Sequence, residues 1–236
     1  MRQLGIAIAT LTLLLAAGCE ELDTPAELDR PQILAVRAAP AHLSAGQRAQ
    51  LSLLIAGPEG DLTPTELDWA VIGPGAAAAG SIEIDDDGAH YRAPDQPVGE
   101  PRAVTLQVTA VMDDGAALIA EKLVFLGDDS MPEPLITEVL VDGVAASERV
   151  EVAPSDVVEL ALRTEAVTLS DPAQEPLTTW HTTCGTFDPH REPVVLFEAP
   201  TEPCHGMIYA VFRDGLGGVA WRRIEVEITS AAPTAR

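Results

Sequence analysis

The chain states one pattern twice. Pro31-Gln32-Ile33-Leu34-Ala35-Val36 is matched by Pro134-Leu135-Ile136-Thr137-Glu138-Val139, Trp69 by Trp180, and Gly80-Ser81-Ile82 by Gly185-Thr186-Phe187. Further on, Tyr91-Arg92-Ala93-Pro94 is matched by Phe197-Glu198-Ala199-Pro200, and Asp114-Gly115 by Asp214-Gly215. The partners lie 100 to 111 residues apart. A repeat of about 100 residues is long enough for each copy to be a complete β-sandwich with its own core.

Local patterning agrees with that reading. Ala49, Leu51, Leu53 and Ile55 alternate with Gln50, Ser52 and Leu54, and Val104, Leu106, Val108 and Ala110 alternate with Thr105, Gln107 and Thr109. In the second copy Ile224, Val226 and Ile228 alternate with Arg223, Glu225 and Glu227. Period-2 runs separated by turn residues predict strands in an all-β architecture. Each repeated element has a physical role. A tryptophan on a central strand fills the space between two sheets. Ala-Pro after an aromatic strand ends pairing, because proline donates no ladder hydrogen bond. Asp-Gly ahead of an alternating run is a hairpin signal. The chain contains no asparagine, so its turns are built from Gly, Pro and Asp.

The residues that carry the second copy are Trp180, Cys184-Gly185-Thr186-Phe187, Phe197-x-Ala199-Pro200 and Asp214-Gly215-x-Gly217-Gly218. This set resembles bacterial Ig-like and PKD-like modules, which recur in tandem in exported proteins. The Gly-Asp-Gly turn of true PKD domains is missing after the tryptophan, so the plain Ig-like family is the nearer resemblance. It implies two tandem immunoglobulin-like β-sandwiches and a spacer, adhesion or assembly role.

The first 19 residues resemble a bacterial lipoprotein signal peptide. Arg2 supplies the charged start, Gly5 to Leu15 the apolar stretch, and Ala16-Ala17-Gly18 the small residues before Cys19. The motif usually has leucine where Ala16 stands. The apolar run is shorter than the about 20 residues needed to span a bilayer. The resemblance implies cleavage before Cys19 and attachment through fatty acyl chains such as palmitate, each buried methylene contributing ~0.8 kcal/mol. Glu20, in place of aspartate, favours the outer membrane over the inner by analogy with sorting rules. The expected organisation is a signal peptide (1–18), an acidic tether (19–31), a first Ig-like domain (32–128), a second (133–230) and a tail (231–236). The stretch Gly127–Pro134 is expected to be a linker that couples the two domains little, leaving each to fold alone.

Charge excludes some partners. The net charge is −23, and removal of residues 1–18 takes away Arg2 to leave −24. Such a chain has no electrostatic route to nucleic-acid phosphates, and anionic headgroups repel it. Any membrane contact comes through the lipid, and the expected partner is an envelope protein or glycan.

With Cys19 assigned to the lipid, Cys184 and Cys204 remain as an even pair, which an oxidising compartment favours as a disulfide. The competing reading is zinc on His181, Cys184, Cys204 and His205, with His190 nearby. Adjacent ligands at 204 and 205 wrap one tetrahedral ion poorly, and oxidation removes both thiolates. Asp85-Asp86-Asp87-Gly88, Asp113-Asp114-Gly115 and Asp128-Asp129 fall where turns are expected. Asp128 and Asp129 also sit where calcium would stiffen a domain junction, but the alternating acids of an EF-hand are absent. No nucleophile elbow, zinc-protease helix, phosphate loop or dinucleotide fingerprint is present. The Gly73–Gly80 stretch lacks the lysine and hydroxyl of a phosphate loop. The expectation is a lipid-anchored, non-enzymatic envelope protein without a cofactor. The alternatives are a calcium-stiffened adhesion module and a hydrolase with no recognisable motif.

Overall fold

The computed structural model describes residues 26–96, 100–127, 131–146, 148–165 and 175–229. In chain order the first half holds β1 (Gln32–Ala39), β2 (His42–Leu43), β3 (Arg48–Gly57), β4 (Gly60–Asp61) and β5 (Glu66–Ile72). It continues with β6 (Ser81–Asp85), β7 (Gly88–Arg92), β8 (Arg102–Val111) and β9 (Ala117–Leu126). The second half holds β10 (Ile136–Val141), β11 (Val144–Ala145), β12 (Arg149–Val152), β13 (Val157–Thr164) and β14 (Leu177–Thr182). It ends with β15 (Thr186–Asp188), β16 (Val194–Glu198), β17 (Cys204–Arg213) and β18 (Val219–Ile228).

Four sheets result. In the first half, β1-β3-β7-β6, with β4 on β3, faces β2-β9-β8-β5. In the second half, β11-β10-β13-β16-β15 faces β12-β18-β17-β14. The strand orders are equivalent. In each half the opening strand pairs antiparallel in one sheet, and a short strand after it (β2 in the first, β12 in the second) crosses to lie parallel to the last strand of the other. Two sheets ordered this way, closed by a split first strand, make an immunoglobulin-like sandwich. The protein is therefore all-β, with two such sandwiches in tandem, as the alternation and the repeat predict.

The repeated residues do equivalent work. Trp69 stands opposite Val108 and Trp180 opposite Ala210, and each tryptophan is buried in its own core. Gly80 and Gly185 both have positive φ, at 111° and 90°. A Cβ at Gly80 would lie 2.8 Å from the Tyr91 ring, and one at Gly185 2.6 Å from the Phe197 ring. The repeated glycine and the repeated aromatic are thus one packing unit, in which only glycine fits. Ala93 N–H donates to Gln47 O and Ala199 N–H to Asp156 O, so the alanine of each Ala-Pro pair keeps its bond and proline supplies only a carbonyl.

Two expectations are corrected. The acidic tether was expected to run from 19 to 31, yet Thr182 N–H donates to Ala26 O and Leu28 N–H to Thr182 O. Residues 26–28 thereby lie parallel to the outer edge of β14, and Leu28 is buried. An apolar residue beside an unpaired strand edge gains both hydrogen bonds and burial, which outweighs the repulsion expected to keep the tether extended. Nor are the sandwiches weakly coupled beads. A third cluster joins Leu28, Leu34, Ala35, Leu54 and Ala56 to Tyr209, Val211 and Val219, with Met207 and Trp221 against it. The outer face of β1 and β3 packs on the outer face of β17 and β18.

A β-bulge prepares that contact. In β1 the register slips between Ile33 and Ala35, leaving Leu34 as the extra residue. A bulge turns two successive side chains to one side, so Leu34 and Ala35 both reach the second sandwich.

Candidate functional site

The junction is where the structure concentrates its buried polar groups. Lys122 is the chain's only lysine. It occupies an inward position of β9, between Ala120 and Val124, which pack on the first core. Its side chain leaves the core sideways and Nζ donates to Gly217 O in the loop joining β17 to β18. The residue is 7% exposed. Burial pushes its pKa down to about 8, opposed by the carboxylates of Asp214 and Glu133.

The loop it grips is organised by Asp214, which is 2% exposed. Asp214 Oδ1 accepts from Leu216 N–H at 2.7 Å and from Gly218 N–H at 2.8 Å. These bonds turn the carbonyls of Leu216 and Gly217 towards the first sandwich. His42 Nε2–H meets Leu216 O at 2.7 Å, and the His42 ring stacks on Phe125 with centroids 4.9 Å apart. Gly217 sits so close to the Phe125 ring that a Cβ there would approach it to 2.7 Å. From the preceding segment, Glu133 Oε1 accepts from Ala41 N–H at 2.8 Å.

Two further ties cross the junction. Arg213 donates to Leu34 O at the bulge (2.8 Å) and to Thr179 Oγ1 (3.2 Å). Tyr209 O–H donates to Asp61 Oδ1 at 2.8 Å, while Asp61 Oδ2 pairs with Arg223 at 2.9 Å. Burial first, then the bond to Asp61, raises the Tyr209 pKa. Leu28, Lys122, Tyr209, Asp61, Arg213, His42 and Glu133 were all missed as site residues in the sequence. One signal was available: a lysine at an inward position of an alternating strand is a charge that needs a partner.

Of the residues singled out in the sequence, Cys184 and Cys204 form a disulfide with Cα atoms 6.5 Å apart. Closing a loop of this size stabilises by on the order of 3 kcal/mol. With both sulfurs bonded to each other, the set His181, Cys184, Cys204 and His205 offers no thiolate. His181 is buried on β14 and His205 exposed on β17. Among the described residues no group of three or more metal-capable side chains converges. Asp85 and Asp114 serve turns, accepting from Asp87 N–H at 3.1 Å and from Ala116 N–H at 2.9 Å. Cys19, Asp128 and Asp129 lie outside the described residues.

Chemically the junction is a lock. Lys122 is spent on a backbone carbonyl and Asp214 on two amides, and both are closed off from solvent.

No family model and no curated protein matches the chain. Among solved structures it is similar in fold to the fibronectin(III)-like modules of Clostridium thermocellum CbhA, at 12% identity and TM-score 0.31, covering 88% of this chain and 98% of that one. It is also similar to the N-terminal Ig1-2 module of the Drosophila receptor protein tyrosine phosphatase DLAR, at 12% identity and TM-score 0.32, covering 84% and 98%. The D00-D0 domain of intimin matches at 9% identity and TM-score 0.29, covering 85% and 100%. The fold assignment itself stands on the strand order.

Proposed function

We propose that this chain is a lipid-anchored cell-envelope protein in which two sandwiches act as one rigid, non-catalytic binding or assembly unit, with an envelope protein or glycan as partner. The observation that carries the reading is the junction. An apolar cluster and a buried lysine grip on the Gly217 carbonyl hold the sandwiches in one orientation, which suits presentation of a surface. Lys122, Asp214, Arg213, Tyr209 and Asp61 are bonded to one another or to backbone across the junction.

The anchor is read from residues 2–19 alone. Six residues separate Cys19 from the hydrogen-bonded Ala26. They reach at most about 20 Å, so an acylated Cys19 would hold the junction side close to the bilayer.

Detergent phase separation tests the proposal. The native protein is expected in the detergent phase and in the outer-membrane fraction, and Cys19→Ser in the aqueous phase. Equal partitioning of the two would overturn the anchor.

A further inference from the structure

The opening between the first and last strands is a feature both sandwiches share, and in the first a loop narrows it to about 360 Å3. In the first, the space between β1 and β9 receives the Asp214–Gly218 loop. In the second, the space between β10 and β18 is an open groove of about 680 Å3. Thr137, Glu138, Glu148, Arg222 and Glu225 line it, with Trp221 at one wall.

Along this groove β18 has an edge that pairs with no strand among the described residues. The strand pairs with β17 throughout, but with β12 only from Glu225 onward. Glu225 N–H points to that side, donating to Glu148 O at 2.8 Å. Strand alternation turns the backbone groups of Trp221 and Arg223 the same way, into the groove. An edge of this kind templates another strand. The chain already shows the mode elsewhere, where residues 26–28 add to the edge of β14.

Charge selects the occupant. Both guanidiniums are committed within the chain: Arg222 donates to Ile136 O at 3.1 Å and Arg223 pairs with Asp61. Glu138 is likewise paired, with Arg163 at 2.8 Å, and Glu148 and Glu225 line the same groove in a chain of net charge −23. A second copy does not suit it, because the copy carries the same negative charge and its Asp214–Gly218 loop is already seated.

We propose that this groove binds an extended, lysine- or arginine-bearing segment of another polypeptide, which adds as a strand to β18 at Trp221–Ile224 and sets its cations against Glu148 and Glu225. This deepens the non-catalytic binding reading above by naming its site and partner class. The four residues from Trp221 to Ile224 fall within the range of short strands.

The test uses the mature chain with Cys19→Ser and a synthetic peptide of alternating lysine and valine, eight residues long. The expected result is amide shifts confined to residues 136–148 and 219–225, slowed hydrogen exchange at Trp221 and Arg223, and binding weakened at least tenfold by Glu148→Lys with Glu225→Lys. Backbone N-methylation along one edge of the peptide should abolish binding to the unaltered groove, which keeps the test independent of variant folding. Shifts scattered over the acidic surface, or equal binding of the N-methylated peptide, would overturn the groove. A protein that partitions into detergent yet ignores the peptide also overturns it, and leaves the anchored binding reading standing.

Discussion

The outer face of β1 and β3 and the outer face of β10 and β13 are one surface in two copies, with opposite chemistry. Register aligns Leu34, Ala35 and Leu54 with Thr137, Glu138 and Arg163. Each copy has the same bulge, at Leu34 and at Thr137. In the first sandwich the bulged pair is apolar and buried against its neighbour. In the second, Glu138 pairs with Arg163 at 2.8 Å, and Thr137 and Arg163 face solvent. The carbonyl groups beside the two bulges are treated differently as well. Arg213 of the second sandwich reaches Leu34 O, whereas Arg222 caps Ile136 O from within its own sandwich. One fold thus supports a docked outer face and a charged one, and surface chemistry separates them. A charged outer face disfavours the apolar docking that the first copy uses.

Exchanging the chemistry should break the comparison most severely. Leu54→Arg places the charge of Arg163 at a site 0% exposed, with no carboxylate opposite it. A loss of about 3–5 kcal/mol and a larger hydrodynamic radius are expected, because an unpaired charge is buried at the junction. Wild-type urea unfolding would show that the contact couples nothing.

Tryptophan truncation asks whether the sandwiches unfold together. Trp180→Ala should cost about 3–5 kcal/mol, and Trp69→Ala should fall at the lower end of that range. Trp180 Nε1–H donates to Glu192 O at 2.9 Å, whereas Trp69 Nε1 is buried without a partner among the described residues. With the junction intact, calorimetry of either variant should show one shifted transition. Two transitions, of which only one moves, would restore the picture of independent domains.

Lys122→Met sharpens the comparison by putting an apolar side chain where the second sandwich has Ile224. A loss of about 1–3 kcal/mol is expected, since Gly217 O forfeits its donor and Asp214 its nearby cation. The pH dependence carries a distinct sign. The folded pKa, about 8, is below the ordinary 10.5, so between those values the unfolded chain binds more protons. Stability contributed by this group should rise with pH from about 8 towards 10. Above pH 10 the raised pKa of Tyr91, about 12, acts oppositely, because the unfolded tyrosine ionises first. Urea midpoints measured from pH 7 to 10 should climb in the native protein and lose that climb in Lys122→Met.

The smallest effect on stability is expected from Glu138→Ala combined with Arg163→Leu, within about 0.5 kcal/mol for an exposed pair. The change converts the charged face to the apolar kind that docks in the first copy. Sedimentation velocity should then reveal concentration-dependent self-association, and a monomer at all concentrations would argue that the charges do not guard this face.

Much of the fold was legible because its determinants are local or repeated. Strand alternation, one tryptophan per copy, Gly-aromatic pairing and the Asp-Gly hairpins each depend on neighbours a few ångströms away within one sandwich. The 100-residue period set their order, and even cysteines in an exported-looking chain implied the bridge between 184 and 204. Only tertiary structure decided that the two copies are joined through a face, that residues 26–28 belong to the folded body, and that the lone lysine closes the joint. Leu34 and Ala35 read as ordinary strand residues until the bulge turns both outward. Lys122 and Gly217 stand 95 residues apart, and nothing along the chain between them records the contact. Burial of one copy's surface by another depends on where whole sheets come to rest, which periodicity within a strand does not encode.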